Sequence, residues 1–99
     1  MSGADDIEAA LAALREAYAA ELPRLVRSLV ARIEEARTRP EAAKEAQREA
    51  HRLRGTAGSY GFADLGEVAG RIEDALEAGG PVPAELIGEL LALAGGESP

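Results

Sequence analysis

The sequence has no cysteine and no tryptophan, and it has only three aromatic residues and a single histidine. Without cysteine there can be neither a disulfide framework nor thiolate chemistry. One histidine without cysteine also argues against a structural zinc site, since such sites use four cysteine or histidine ligands. We therefore expect a chain that binds no metal ion or other cofactor of its own.

Positive charge and long apolar runs are also scarce. The chain carries 18 acidic against 11 basic residues, for a net charge of −7, and such a field repels the phosphate backbone of nucleic acids. No apolar run approaches the ~20 residues that span a bilayer. The first ten residues, MSGADDIEAA, are acidic and do not resemble a signal peptide. These features predict a cytoplasmic protein that binds neither nucleic acid nor membrane.

The residues that are abundant favour helices. There are 22 alanines and 12 leucines, and glutamate and arginine supply most of the charge. Prolines and glycines divide the chain into five helical segments, near residues 5–20, 23–38, 40–60, 62–76 and 86–93, with Pro23 and Pro40 in the first turns of the second and third. The prediction is one all-α domain over residues 1–99, frayed at 1–4 and 95–99. Its fold is an antiparallel four-helix bundle with one additional terminal helix.

The histidine, His51, lies in the stretch AHRLRGTAGSYGF of the third segment. On a helical wheel it points roughly 130° away from the mean direction of the apolar positions, which predicts an exposed ring. Gly55 and Gly58 follow it at one and two turns. Each glycine costs a helix roughly 1 kcal/mol relative to alanine, so the presence of two needs an explanation. One explanation is that they leave the surface beside the imidazole free of side chains.

The same stretch has more cations than the rest of the chain. Four basic and two acidic residues fall between positions 44 and 54, and cations near a histidine can stabilise a phosphoryl group attached to it. Each feature also has a plainer explanation. A lone surface histidine usually has no function, a charge run is usually a solvated face, and helical glycines such as Gly66 and Gly70 can serve close helix packing. The candidate set is His51 with Lys44, Gln47, Arg48, Arg54, Gly55 and Gly58.

The stretch HRLRGTAGSYGFADLGEVAGRIE resembles the motif of histidine-containing phosphotransfer (HPt) domains of multistep two-component phosphorelays. The match covers residues 50–76 in detail, and looser similarity, as in AELPRLVRSL, extends over most of the chain. Arg54 stands where lysine is more frequent and keeps the charge. The positions that match are His51, Leu53, Arg54, Gly55, Thr56, Ala57, Gly61, Leu65, Ile72 and Glu73.

This resemblance implies a monomeric phosphocarrier, not an enzyme with its own ATP site. His51 would accept a phosphoryl group from the aspartyl phosphate of a response-regulator receiver domain and pass it to another receiver, which supplies the Mg²⁺. Arg54 and Gly55 would be its electrostatic and steric supports, and Glu73 would be structural.

Two alternatives remain open, and a third is disfavoured. The domain could be the phosphoacceptor module of a chemotaxis-type histidine kinase, whose donor is ATP. It could also be a helical docking module that carries no phosphate. A small hydrolytic site built on Ser59 and Asp64 is disfavoured, since the sequence shows no strand-to-helix nucleophile elbow.

Overall fold

A computed structural model describes residues 3–95 of the chain. They form four α-helices: α1 (Gly3–Glu35), α2 (Glu41–Ser59), α3 (Ala63–Glu77) and α4 (Ala84–Leu93). Helix α2 packs against α1 and α3, and α4 packs against α3 and α1, with short connections between successive elements. The described residues contain no strand, and the predicted all-α bundle is confirmed.

The predicted helix boundary at Pro23 is wrong, because α1 runs through this proline without interruption. A proline inside a helix removes one backbone hydrogen bond and costs roughly 3 kcal/mol. Contacts on its N-terminal side offset this cost: the Tyr18 hydroxyl lies 2.6 Å from Thr56 Oγ1, and Arg15 Nε donates to the Tyr60 carbonyl at 3.0 Å. The additional terminal helix is therefore the first half of α1.

That first half extends beyond the bundle. Its apolar residues Ile7, Leu11 and Leu14 are 62%, 52% and 51% exposed, although their spacing would suit a buried stripe. Tyr18 is the first residue of the stripe to pack, and its ring stacks on Tyr60 with the centroids 4.7 Å apart. The apolar residues of α1 thus keep their helical spacing beyond the end of the bundle, where the other helices no longer cover them.

The core lies between the C-terminal half of α1 and the inner faces of the other three helices. Helix α2 contributes mainly small residues, so its backbone approaches its neighbours closely. Ala42 is buried at its start, and Ala43 beside it is half-buried. The larger side chains that fill the core are Leu22, Val26, Leu29, Ile33, Leu53, Leu65, Ile72 and Leu90.

Two further expectations concern the ends and the membrane. Residues 1–2 and 96–99, predicted to fray, lie outside the described residues, whereas residues 3 and 4 already belong to α1. None of the helices in residues 3–95 is long and apolar enough to cross a membrane.

Candidate functional site

His51 lies in the middle of α2, on the face turned away from the core. Its side chain is 73% exposed, in agreement with the helical-wheel prediction. The residues one position before and two positions after it, Ala50 and Leu53, are buried and fix the rotation of the helix. The imidazole is therefore presented to solvent by a rigid element.

One ring nitrogen of His51 is already engaged. Nδ1 lies 2.7 Å from Oε2 of Glu73 on α3. An ionised carboxylate can only accept a hydrogen bond, so this contact favours the tautomer in which Nδ1 carries the proton and donates it. Within residues 3–95 no group hydrogen-bonds to Nε2. In the neutral ring this leaves the lone pair on Nε2, the nitrogen open to a partner.

Glu73 is held from its other side by Arg54. Arg54 Nη1 donates to Glu73 Oε1 at 3.2 Å, so each carboxylate oxygen has its own partner. The Glu73 side chain is only 13% exposed, whereas that of Arg54 is 55% exposed. A carboxylate shielded to this degree and bonded at both oxygens has little freedom to rotate. The Arg54 charge predicted to support a phosphoryl group is thus partly used by Glu73.

An open surface depression of ≈ 650 Å³ adjoins the ring. It joins three of the predicted residues, Lys44, Gln47 and Arg48, to His51, and it adds two that were not among the candidates, Arg52 and Glu73. Arg54, Gly55 and Gly58 do not line it.

The acids of the same stretch, Glu45 and Glu49, share a neighbouring depression with Arg48 and Arg52. Their carboxylates form ion pairs with α1 instead, where Arg32 Nε lies 3.5 and 3.6 Å from them. Across residues 3–95, Lys44, Arg48 and Arg52 form no ion pair. The chain is acidic overall, yet the surface next to His51 is basic.

The predicted glycines lie on the same exposed side of α2. A Cβ atom built on Gly55 or Gly58 would meet nothing within 4 Å, so neither glycine is required by packing inside the domain. Gly61, by contrast, has a conformational role. Its φ of 91° lies in the left-handed region, and the Phe62 amide donates to the Ala57 carbonyl at 2.8 Å, so the turn at Gly61 ends α2.

The sequence did not assign Glu73 to the site and named no partner for it. The signal was its position relative to the turn: His51 and Glu73 are each 11 residues from Phe62. Residues equidistant from a tight turn lie level in an antiparallel helix pair. Among the described residues there is no group of three or more His, Asp or Glu side chains that could hold a metal ion.

Fold and site together define a helical module that presents one oriented imidazole on an open, basic surface. The chain belongs to the Hpt domain family, whose model matches residues 2–95. Members of this family are histidine phosphotransfer modules of phosphorelays, phosphocarriers rather than kinases, and they interact with receiver domains and kinases of two-component systems. The chain has no significant match among curated proteins or among solved structures.

Proposed function

We propose that His51 is the phosphoacceptor, which takes a phosphoryl group from the aspartyl phosphate of one receiver domain and passes it to another. The observation that carries this proposal is the hydrogen bond from His51 Nδ1 to Glu73, with Nε2 left open on an exposed ring. A nucleophile needs an available lone pair and a clear approach, and this arrangement supplies both.

The transfer can be written with the residues described. The lone pair of Nε2 attacks phosphorus in line, the P–N bond forms, and the P–O bond to the donor aspartate breaks with its electrons left on the aspartate carboxylate. The imidazole becomes an N-phosphorylated cation whose proton stays on Nδ1. Glu73 stabilises that cation through the hydrogen bond it already accepts. Transfer to the second receiver runs the same step in reverse.

The receiver completes the site. Phosphoryl transfer depends on positioning and on neutralising the charge of the moving group, and in this proposal the receiver supplies the Mg²⁺. Lys44, Arg48 and Arg52 form a basic surface around the depression, suited to the acidic carboxylates that hold a metal ion in a partner. The exposed backbone at Gly55 and Gly58 gives that partner room to approach.

The experiment is a labelling assay with isolated phosphorylated receivers as donors. Wild type should acquire label that is acid-labile and alkali-stable, and His51→Gln should acquire none. Because Lys44 is the only lysine and a phosphorylated amine is also acid-labile, Lys44→Met is the matched control and should retain label. Circular dichroism would establish that both variants keep the helical content of wild type.

Each other outcome has a definite meaning. Equal labelling of wild type and His51→Gln would overturn the assignment of the phosphoacceptor. Labelling by an ATP-bound kinase domain but by no receiver would favour the module of a chemotaxis-type kinase. If no donor of either kind labels the wild type, a docking module that carries no phosphate becomes the better assignment.

A further inference from the structure

Gly70 is the point at which the Arg54 side chain crosses helix α3. A Cβ atom built on Gly70 would lie 3.1 Å from Nε, 3.2 Å from Cδ and 3.3 Å from Cζ of Arg54. These three are the nearest atoms, so the space that a side chain would take at position 70 is occupied by the guanidinium group and its stem. Gly70 is buried, and the Arg54 side chain is what covers it.

The crossing leads directly to the carboxylate that holds the histidine. Glu73 follows Gly70 by three residues, and residues three apart in a helix are neighbours on its surface. From its position over Gly70 the guanidinium reaches Glu73 Oε1 at 3.2 Å, while Oε2 accepts from His51 at 2.7 Å. A contiguous series of contacts therefore joins Gly70 to Arg54, Arg54 to Glu73, and Glu73 to the imidazole.

We propose that Gly70 is a positioning residue for His51, which acts through Arg54 and Glu73. The absent side chain lets Arg54 lie against α3, Arg54 fixes the plane of the Glu73 carboxylate, and that plane holds the proton on Nδ1. This inference rests on the proposed function for its catalytic meaning, since the consequence is that Nε2 stays available for the phosphoryl group.

A side chain at position 70 would displace Arg54 without breaking the core. The atoms it meets belong to a long, flexible side chain that is 55% exposed, so Arg54 can swing into solvent. Replacing a helical glycine by alanine also favours the helix by roughly 1 kcal/mol. Gly70→Ala should therefore fold at least as well as the wild type while loosening the contact between Arg54 and Glu73.

Gly88 supplies a matched control. It is also a glycine inside a helix, α4, and a Cβ atom built on it meets nothing within 4 Å. Gly88→Ala and Gly88→Leu gain the same helix propensity as the corresponding changes at Gly70, but they lie away from Arg54.

The test is the tautomer of His51, measured by ¹⁵N NMR from the two-bond couplings of the ring. His51 is the only histidine, so the ring signals need no further assignment. In Gly70→Leu the share of the Nε2–H tautomer should rise roughly twofold or more over wild type, since either ring nitrogen of a neutral imidazole can carry the proton. Gly70→Ala should lie between the two, and the Gly88 variants should match wild type.

A second set of variants, made in an Arg54→Ala protein, distinguishes an effect of Gly70 through Arg54 from a general disturbance of the domain. In Arg54→Ala the tautomer should already be shifted, and adding Gly70→Ala or Gly70→Leu should change it no further. A wild-type tautomer in both Gly70 variants would overturn the positioning role. An equal additional shift when either Gly70 change is combined with Arg54→Ala would overturn the route through Arg54. If Gly70→Leu fails to fold, Gly70→Ala, which adds one methyl group, decides the matter.

The rate of labelling provides the functional readout and should fall in proportion to the lost Nδ1–H tautomer. A merely structural role for Gly70 would alter thermal stability and leave the tautomer of the folded protein unchanged. If no donor labels even the wild type, the proposed function fails, whereas the tautomer measurement still decides whether Gly70 positions the ring.

Discussion

Nδ1 of His51 and Oε2 of Glu73 lie 2.7 Å apart, although 22 residues separate them in the chain. The contact joins an exposed ring on α2 to a carboxylate that is only 13% exposed on α3. It favours the tautomer with the proton on Nδ1, and it would place a negative charge next to the positive charge that the ring acquires in the proposed phosphorylation.

Removing this carboxylate should slow phosphoryl transfer. A hydrogen bond to a charged group contributes ~1.5–3 kcal/mol, and about 1.4 kcal/mol corresponds to a factor of ten in rate. Glu73→Ala should therefore lower the rate of labelling by about tenfold or more. Glu73→Gln should have a smaller effect, because its amide oxygen can still accept from Nδ1 but carries no charge. Rapid-quench measurement of labelling would give both rates.

Glu77 provides the control for this comparison. It is an exposed carboxylate one turn beyond Glu73 on the same helix, so Glu77→Gln removes the same charge without touching the ring. Its rate should stay within a factor of two of wild type. Equal slowing in Glu73→Gln and Glu77→Gln would mean that net charge, not the contact with His51, determines the rate.

Enlarging Gly55 should obstruct the partner while leaving the domain intact. A Cβ atom at this position meets nothing within 4 Å, so a leucine would project into solvent one turn from the ring. Gly55→Leu should keep or slightly raise helix stability, because glycine costs a helix about 1 kcal/mol. It should slow transfer from the receiver by roughly tenfold or more, which corresponds to an increase of about 1.4 kcal/mol in the activation free energy.

The Gly55 result can be compared with a smaller probe. Labelling by a small-molecule phosphodonor should be less impaired than labelling by a receiver, because only the protein donor needs the cleared surface. Transfer from the receiver at the wild-type rate would contradict the steric role of this glycine.

Two leucines of helix α1 should differ sharply in their contribution to stability. Leu29 is 1% exposed and Leu11 is 52% exposed. Leu29→Ala should lower the free energy of unfolding by ~2–5 kcal/mol, as buried leucines do. Leu11→Ala should change it by about 0.5 kcal/mol or less, as surface substitutions do. Urea denaturation followed by circular dichroism would measure both. A similar loss in the two variants would mean that the first half of α1 is covered by other residues in solution.

Much of the fold could be predicted from the sequence because its helices are evident from composition and period. The outward direction of His51 followed from the alanines and Leu53 on the opposite face of α2. The continuation of α1 through Pro23 could not be predicted in the same way. A proline in a helical pattern usually marks a boundary. The contacts that override it here, made by Arg15 and Tyr18 with the end of α2, are tertiary and have no local signal.

The candidate site shows the same contrast between local sequence signals and tertiary contacts. The cations, the glycines and the histidine stand within one helix, so a single wheel brings them together. Glu73 lies on the next helix, and recognising it requires the register of α2 against α3. The turn at Gly61 and Phe62 encodes that register, because it places Arg54 level with Gly70 and His51 level with Glu73. What the register leaves undetermined is the side-chain conformation that sends the Arg54 guanidinium to Glu73.

Gly66 has a consequence for how the whole site tolerates change. A methyl group there would lie 3.1 Å from the Arg54 carbonyl oxygen and 3.4 Å from the Gly58 nitrogen, which are main-chain atoms and cannot rotate away. The two helices that carry the ring and its carboxylate thus rest on each other backbone to backbone at this level. Their spacing at this level is set by direct main-chain contact. Substitutions among the aliphatic core residues can therefore change the stability of the domain while the main-chain contact at Gly66 keeps α2 and α3, and with them His51 and Glu73, at the same distance.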